Sequence, residues 1–105
     1  MGAEAELQII RWRDIPAQVI ARRGRETARR LMPESFQQAI DAAAMVAGLT
    51  GSDEYTASFR TERRPCGEDL EAEAEAAYQE LLREWTPEVL RAAIRTGGLR
   101  EGGAV

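Results

Sequence analysis

The segment spanning residues 7–30 constrains the fold more than any other part of this sequence. It combines β-branched residues, a tryptophan, an Asp-Ile-Pro corner and seven of the chain's fourteen arginines. Apolar residues fall on both sides of the alternating pattern at its start, which indicates a strand over residues 7–13 that is covered on both faces. Asp14 favours a turn and Pro16 holds its predecessor extended, so a corner follows. A second strand is predicted over residues 17–23.

A third strand is favoured over residues 26–32, although this segment also fits a helix. The strand is preferred because a three-stranded meander is more stable than an isolated hairpin. Alternating apolar residues predict one more strand over residues 54–60. The polar run 60–67 contains Pro65 and is predicted to be a loop. We therefore expect an antiparallel sheet of three to four strands.

Three helices are predicted from apolar residues that recur every three or four positions. The first spans residues 33–47, with a proline in its first turn and Gly48 at its end. The second spans residues 69–84 and carries acids in its first turns. The third spans residues 87–96, after an N-cap at Thr86. The strand faces and helix stripes predict these core residues: Trp12, Phe36, Ile40, Phe59, Leu70, Leu81 and Trp85.

These elements predict a single α+β domain over residues 1–98, with helices packed mainly on one face of a small sheet, and a flexible tail over residues 99–105. The length of 105 residues, with 44% apolar and 30% charged residues, fits one soluble globular domain. No apolar run reaches the ~18 residues of a membrane span, and the acidic N-terminus lacks the features of a signal peptide. We therefore expect a cytoplasmic protein with no membrane partner.

Two residue types are missing from the chain, and this narrows the chemistry. There is no histidine, and all of the positive charge is arginine because there is no lysine. The usual general base, the commonest transition-metal ligand, Schiff-base chemistry and the P-loop lysine are therefore excluded. One cysteine, Cys66, forms neither an internal disulfide nor a metal frame by itself. We predict no enzymatic activity, no catalytic residues, no metal and no cofactor.

The arginines of residues 7–30 mark candidate partner-binding residues. This segment has a net charge of about +5 by its arginines and acids, whereas the whole chain is at −4. An aromatic residue flanked by guanidinium groups has the composition of an interface hot spot. The candidates lie at the corner and at the next turn: Arg11, Trp12, Arg13, Asp14, Arg22, Arg23 and Arg25.

Other interpretations of these residues stay open. Trp12 also fits a core position with solvated arginines around it, and Asp14 fits a turn-forming role. The five arginines of residues 22–30 fit three roles: neutralising the eight acids of residues 68–88, binding a larger protein, or binding nucleic acid or another polyanion. The polyanion is less favoured because Trp12 is the one aromatic residue near the patch and the chain is acidic. The sequence does not indicate an oligomeric state.

Cys66 also has two interpretations. It follows two arginines and precedes a helix start, and both features favour the thiolate form. A redox or ligand-binding role is one possibility, and an inert loop cysteine is the other. A catalytic Cys–His pair is excluded because the chain has no histidine.

Four segments resemble a known family. Residues 12–19 are Trp-Arg-Asp-Ile-Pro-Ala-Gln-Val, residues 36–41 are Phe-Gln-Gln-Ala-Ile-Asp, residues 43–45 are Ala-Ala-Met and residues 52–55 are Ser-Asp-Glu-Tyr. They are similar to the small bacterial virulence factor domain family, which resembles one domain of the larger conserved virulence factor C proteins. There it accompanies a domain similar to the N-terminal part of Nfu-type iron–sulfur scaffolds, and HEAT-like helical repeats. The resemblance covers residues 7–98 of this chain.

The resemblance implies no catalytic residues, because the family name describes a phenotype and not a reaction. We expect a non-enzymatic accessory or protein-interaction module that serves a larger metabolic or iron–sulfur-related assembly and binds it through the Trp12 corner and the arginine turn. The alternative is polyanion binding, to nucleic acid or a phosphorylated ligand, through the same turn. This chain lacks the repeats and the scaffold domain of the larger proteins.

Overall fold

The computed structural model describes residues 4–51 and 53–100, which form one four-stranded sheet and four helices. In chain order the elements are β1 (Glu6–Trp12), β2 (Ile15–Arg23), β3 (Glu26–Leu31), α1 (Glu34–Ala47), α2 (Asp53–Ala57), β4 (Phe59–Pro65), α3 (Leu70–Glu84) and α4 (Pro87–Arg95). The strands are antiparallel and lie in the order β3-β2-β1-β4. The predicted α+β class is confirmed, with a fourth short helix in addition to the three expected.

The strand β1 lies inside the sheet, between β2 and β4. Its residues Leu7 and Ile9 are buried in the core, and the alternate residues Gln8 and Ile10 lie on the other face. This position explains why both faces of β1 carry apolar residues. The turn to β2 has only two residues, and Arg13 within it has a φ of 53°, which is uncommon for a residue with a side chain.

The helices cover one face of the sheet. α3 crosses β2 and β3, while α1 contacts β2 and packs along α4. A single core fills the space between these layers, and its largest fully buried side chains include Trp12, Ile9, Ile15, Ile40, Leu81 and Val19. Most predicted core residues lie in this core or pack against it: Trp12, Phe36, Ile40, Leu70, Leu81 and Trp85. Phe59 does not, because 37% of its surface is exposed.

The helix boundaries follow the signals in the sequence. Gly48 closes α1 in the left-handed conformation, with a φ of 73°. The hydroxyl of Thr86 accepts a hydrogen bond from the amide of Val89 at 3.2 Å and so caps α4, which begins at Pro87. Asp69 caps α3 in the same way. These local interactions explain why the three longer helices were predictable within a few residues.

The predictions of a strand over residues 54–60 and a loop over residues 60–67 are wrong. The first segment contains most of α2, and the strand begins only at Phe59. Alternation over so few residues also fits a helix, in which Tyr55 contacts the ring four residues later, edge to edge at 5.7 Å. β4 is an edge strand with mostly exposed side chains, so it has no apolar face by which to recognise it. Its charges and Pro65 are typical of a protected edge.

The segment after α4 closes onto the turn between β1 and β2. The amide of Asp14 donates a hydrogen bond to the carbonyl of Gly98 at 3.0 Å, and the amide of Arg100 donates one to the Asp14 carboxylate at 2.8 Å. The predicted flexible tail over residues 99–105 therefore begins with an attached residue, and residues 101–105 lie outside the described residues. Gly98 has a φ of 105°, and a Cβ there would lie 2.7 Å from Cζ3 of Trp12.

Replacing Gly98 with alanine tests this close approach. We expect Gly98→Ala to lower the free energy of unfolding by about 2–4 kcal/mol, because it adds a clash with Trp12 to the unfavourable positive φ. Gly48→Ala is the matched control: its φ is also positive, but a Cβ there meets nothing within 4 Å. The control should cost only about 1–2 kcal/mol. Equal losses for the two variants in urea denaturation would show that the segment after α4 does not pack on Trp12.

Candidate protein-interaction surface

The seven predicted partner-binding residues lie at two separate places. Four belong to the corner between β1 and β2, and three lie at the turn between β2 and β3. These two turns are at opposite ends of β2, whose nine residues hold them roughly 26 Å apart. The corner and the arginine turn are therefore not one continuous patch.

Trp12 is a core residue in this structure. Its side chain is 0% exposed, and its Nε1 donates a hydrogen bond to the carbonyl oxygen of Tyr55 at 2.8 Å. The two rings also pack together, with their centroids 5.6 Å apart. The ring thus offers no free surface to a partner. Its predicted role as a partner-binding anchor stays a prediction, and its burial gives that role no support.

The two arginines beside Trp12 bind other parts of the same chain. Arg11 donates hydrogen bonds to the Glu62 carboxylate and to the carbonyl of Asp14, each at 3.0 Å. Arg13 donates to the carbonyl of Gly97 at 2.9 Å, and its guanidinium lies 5.3 Å from the centre of the Trp12 ring. These contacts hold the corner against β4 and the segment after α4.

Asp14 connects three segments through its side chain. One carboxylate oxygen accepts a hydrogen bond from Arg60 at 3.2 Å, and the other accepts one from the amide of Arg100 at 2.8 Å. Arg60 also donates to the carbonyl of Arg13 at 3.0 Å. The Asp14 side chain therefore binds distant residues across the corner, which is a stronger structural role than the local turn predicted from the sequence.

The pleat of the sheet divides the arginines around the β2–β3 turn into two groups. Arg23 and Arg30 are on the face that carries α3 and form ion pairs with it. Arg23 contacts Glu68 at 3.0 Å, and Arg30 contacts Glu71 at 2.8 Å and Glu75 at 3.0 Å. For these two arginines, neutralisation by the acids of residues 68–88 is the interpretation that the structure supports.

The second group consists of Arg22, Arg25 and Arg29, which we call the open arginine surface. All three are exposed, and within residues 4–51 and 53–100 their guanidinium groups have no hydrogen bond or ion pair. Arg29 pairs in register with Ile20, on the face of the sheet opposite α3. Leu31 follows on the same face and is 69% exposed. Positive charge and apolar surface therefore meet at this edge.

Cys66 is partly buried beside β1 and α3. Burial is the main cause that raises the pKa of its thiol, and the nearby Glu73 carboxylate raises it further, while Arg64 acts in the opposite direction. The expectation that its surroundings favour the thiolate is therefore wrong. No group of three histidine, cysteine, aspartate or glutamate side chains suited to a metal occurs in the part of the chain that the structure describes.

Comparison with known proteins identifies the family. The family model described as Virulence factor matches residues 10–94, which is most of the chain. This chain belongs to the virulence factor family. The match confirms the resemblance seen in the sequence. No curated protein and no solved structure matches the chain.

Sequence reasoning missed two residues that organise the corner of this virulence factor domain. Arg60 was assigned to a loop, and Arg100 to a tail, so neither was expected near Asp14. No local pattern could have shown these contacts, because they join residues 46 and 86 positions apart. In the helices described here, none combines the length and apolar character that a membrane span needs.

The ion pairs between β3 and α3 predict a pH dependence. The pKa of Glu75 is lowered, first by a hydrogen bond from Gln79 and then by one from Arg30. A carboxylate with a lowered pKa in the folded state stabilises it above the ordinary pKa, and this contribution is lost as pH falls through the folded value. Arg30→Gln should move the pKa of Glu75 upward in an NMR titration. An unchanged pKa would contradict the contact, and Arg29→Gln is the control.

The thiol of Cys66 should react slowly with alkylating agents. Because its pKa is raised, the thiolate fraction at pH 8 is lower than that of a free cysteine. We expect iodoacetamide to modify native Cys66 more slowly than it modifies the unfolded chain. Glu73→Gln should increase the native rate, since it removes a charge that disfavours the thiolate. A native rate above the unfolded rate would show that the thiol is activated.

Proposed function

We propose that this virulence factor domain is a non-enzymatic accessory module that binds an acidic surface of a larger protein through the open arginine surface. The observation that carries the proposal is the absence of any intramolecular partner, among the described residues, for Arg22, Arg25 and Arg29. Like charges on neighbouring strands repel each other, so this arrangement is unfavourable for the isolated domain. An acidic partner would relieve the repulsion and steer association over a distance.

The composition of this face favours a protein over a nucleic acid. Single-stranded nucleic acids are bound by basic grooves in which bases stack on aromatic rings. By register, the residues around Arg29 on this face are Ile20, Thr27 and Leu31, and none is aromatic. Protein interfaces instead combine arginine with an apolar centre. Polyanion binding, the alternative from the sequence, is therefore an outcome that the experiment must be able to detect.

An accessory role also fits the chemistry of the other conspicuous residues. Asp14 has hydrogen bonds to Arg60 and Arg100, and the Cys66 thiol is shifted away from its reactive form. With no histidine or lysine in the chain, no described side chain combines with these two as a base or nucleophile. The family resemblance to proteins that carry an iron–sulfur scaffold-like domain motivates the proposal that the partner belongs to a larger metabolic or iron–sulfur-related assembly.

The test compares two triple variants that remove equal charge from different faces. Arg22→Gln/Arg25→Gln/Arg29→Gln removes the open arginine surface. The control, Arg83→Gln/Arg91→Gln/Arg95→Gln, removes three arginines of α3 and α4 that also have no ion pair in the described part of the chain. Neither variant should lower the melting temperature, because no intramolecular contact of these guanidinium groups is lost.

Wild-type and variant domains are immobilised and exposed to lysate of the native host, and bound proteins are quantified by mass spectrometry. A partner of the open arginine surface should be retained by the wild type and the control and reduced about tenfold on the first variant. With the purified partner, the loss should lie mainly in the association rate and shrink at high salt. A partner retained equally by all three domains would contradict the proposal.

The polyanion alternative is measured separately with a labelled single-stranded oligonucleotide. Binding that weakens with salt at a slope of about −0.7 per phosphate contact, and is lost in the Arg22→Gln/Arg25→Gln/Arg29→Gln variant, would replace the protein partner with a nucleic acid. Absence of binding at physiological salt, together with a protein retained as described above, would support the proposal.

A further inference from the structure

A second surface lies on the other side of the molecule, where α1, α3 and α4 meet in an open groove of approximately 570 Å³. Its wall is mostly apolar and includes Phe36, Ala42, Leu82, Trp85 and Ile94. Arg91 is the one charged residue among those that line it. The volume falls within the range of protein binding sites, and the groove is remote from the open arginine surface in both sequence and fold.

The apolar surface extends beyond the groove along α1. Ala42 lines the groove, and Met45 and Val46, which lie three and four residues later, continue the same side of the helix. Both are large apolar side chains facing solvent, with 71% and 56% of their surface exposed. From Pro33 to Val46 this strip is about 20 Å long. A small molecule would fill the groove but leave these two side chains exposed.

Two arginines lie beside this strip. Arg91 lines the groove, and Arg95 follows one turn later on α4, so their side chains are neighbours on the helix. Both are exposed, and in the described residues neither guanidinium has an ion pair. The closest acids in sequence, Glu88 on α4 and Glu34 on α1, do not line the groove. Repulsion between Arg91 and Arg95 is unfavourable and is relieved by an acidic ligand.

We propose that this groove binds an amphipathic helix of another protein, three to four turns long, with acidic residues spaced four apart along one side. The apolar face of such a helix would cover the strip along α1, and its acids would face Arg91 and Arg95, which is the helix-in-groove mode of recognition. A second copy of this chain fits less well. Two copies joined symmetrically through α4 would bring their arginines together, and the α3 acids Glu71 and Glu75 are already paired with Arg30.

The probe is a capped synthetic peptide of about 16 residues that is helical, has leucine at a three- and four-residue spacing, and carries two glutamates four positions apart beside the leucine stripe. A matched peptide replaces these two glutamates with lysine, and a third replaces the leucines with serine. Binding is measured by fluorescence anisotropy and located by amide chemical-shift changes. The glutamate peptide should bind at least about tenfold more tightly than either control and shift residues of α1 and α4.

Variants separate this inference from the proposed function. Arg91→Gln/Arg95→Gln should weaken binding of the glutamate peptide about tenfold and reduce its salt dependence. Ala42→Glu, at a partly exposed position, should weaken it further by placing a like charge in the groove. Arg22→Gln/Arg25→Gln is the control and should bind the peptide like the wild type.

Three results would overturn the inference. The first is no binding of the glutamate peptide at millimolar concentration, and the second is equal binding of the lysine peptide. The third is a set of shifted amides outside α1, α3 and α4. Saturable binding of decanoate in the groove without peptide binding would also overturn it, in favour of a small apolar acid. None of these results bears on the open arginine surface, because that surface is tested with a different variant and a different partner.

Discussion

The two-residue period of the sheet is the constraint on which the rest of this structure depends. Neighbouring arginines in β2 and β3 point to opposite faces, so a compact cluster in the sequence becomes two groups with different roles. Arg23 and Arg30 face the acidic side of α3 and are neutralised there. These pairs are largely exposed and so contribute little stability individually. Their effect is to orient α3 across the strands while the remaining arginines stay on the open side.

A second organising interaction is the closure of the chain around Trp12. The indole is buried between the corner, α2 and the segment after α4, and the neighbouring polar groups are all used in holding these pieces together. Arg11, Arg13 and Asp14 therefore have the composition of an interface hot spot while forming an intramolecular junction. The comparison shows that composition does not distinguish an exterior contact surface from an interior one. Only the partners of each side chain do so.

The sequence predicted the elements with strong local signals and missed those without them. α1, α3 and α4 have apolar stripes and caps, and β1 to β3 have alternating or β-branched patterns, so these six were recognised. β4 is polar on both faces because it is an edge, and α2 is too short to show a period, so that region was misassigned. The arginine cluster was found from composition, but its division needed the strand register. The groove could not be predicted, because it exists only where three helices pack.

The closure at Gly98 has a consequence for the order in which this chain can fold. The Asp14–Arg100 hydrogen bond joins residues 86 positions apart. A ribosome adds about 5–20 residues per second, so Trp12 is synthesised roughly 4–17 s before the residues that complete its surroundings. During this interval the β1–β2 hairpin has formed its local contacts, while the indole and the corner arginines still lack their last neighbours. Folding of the corner is therefore limited by synthesis of the end of the domain and not by the speed of hairpin formation, which takes microseconds.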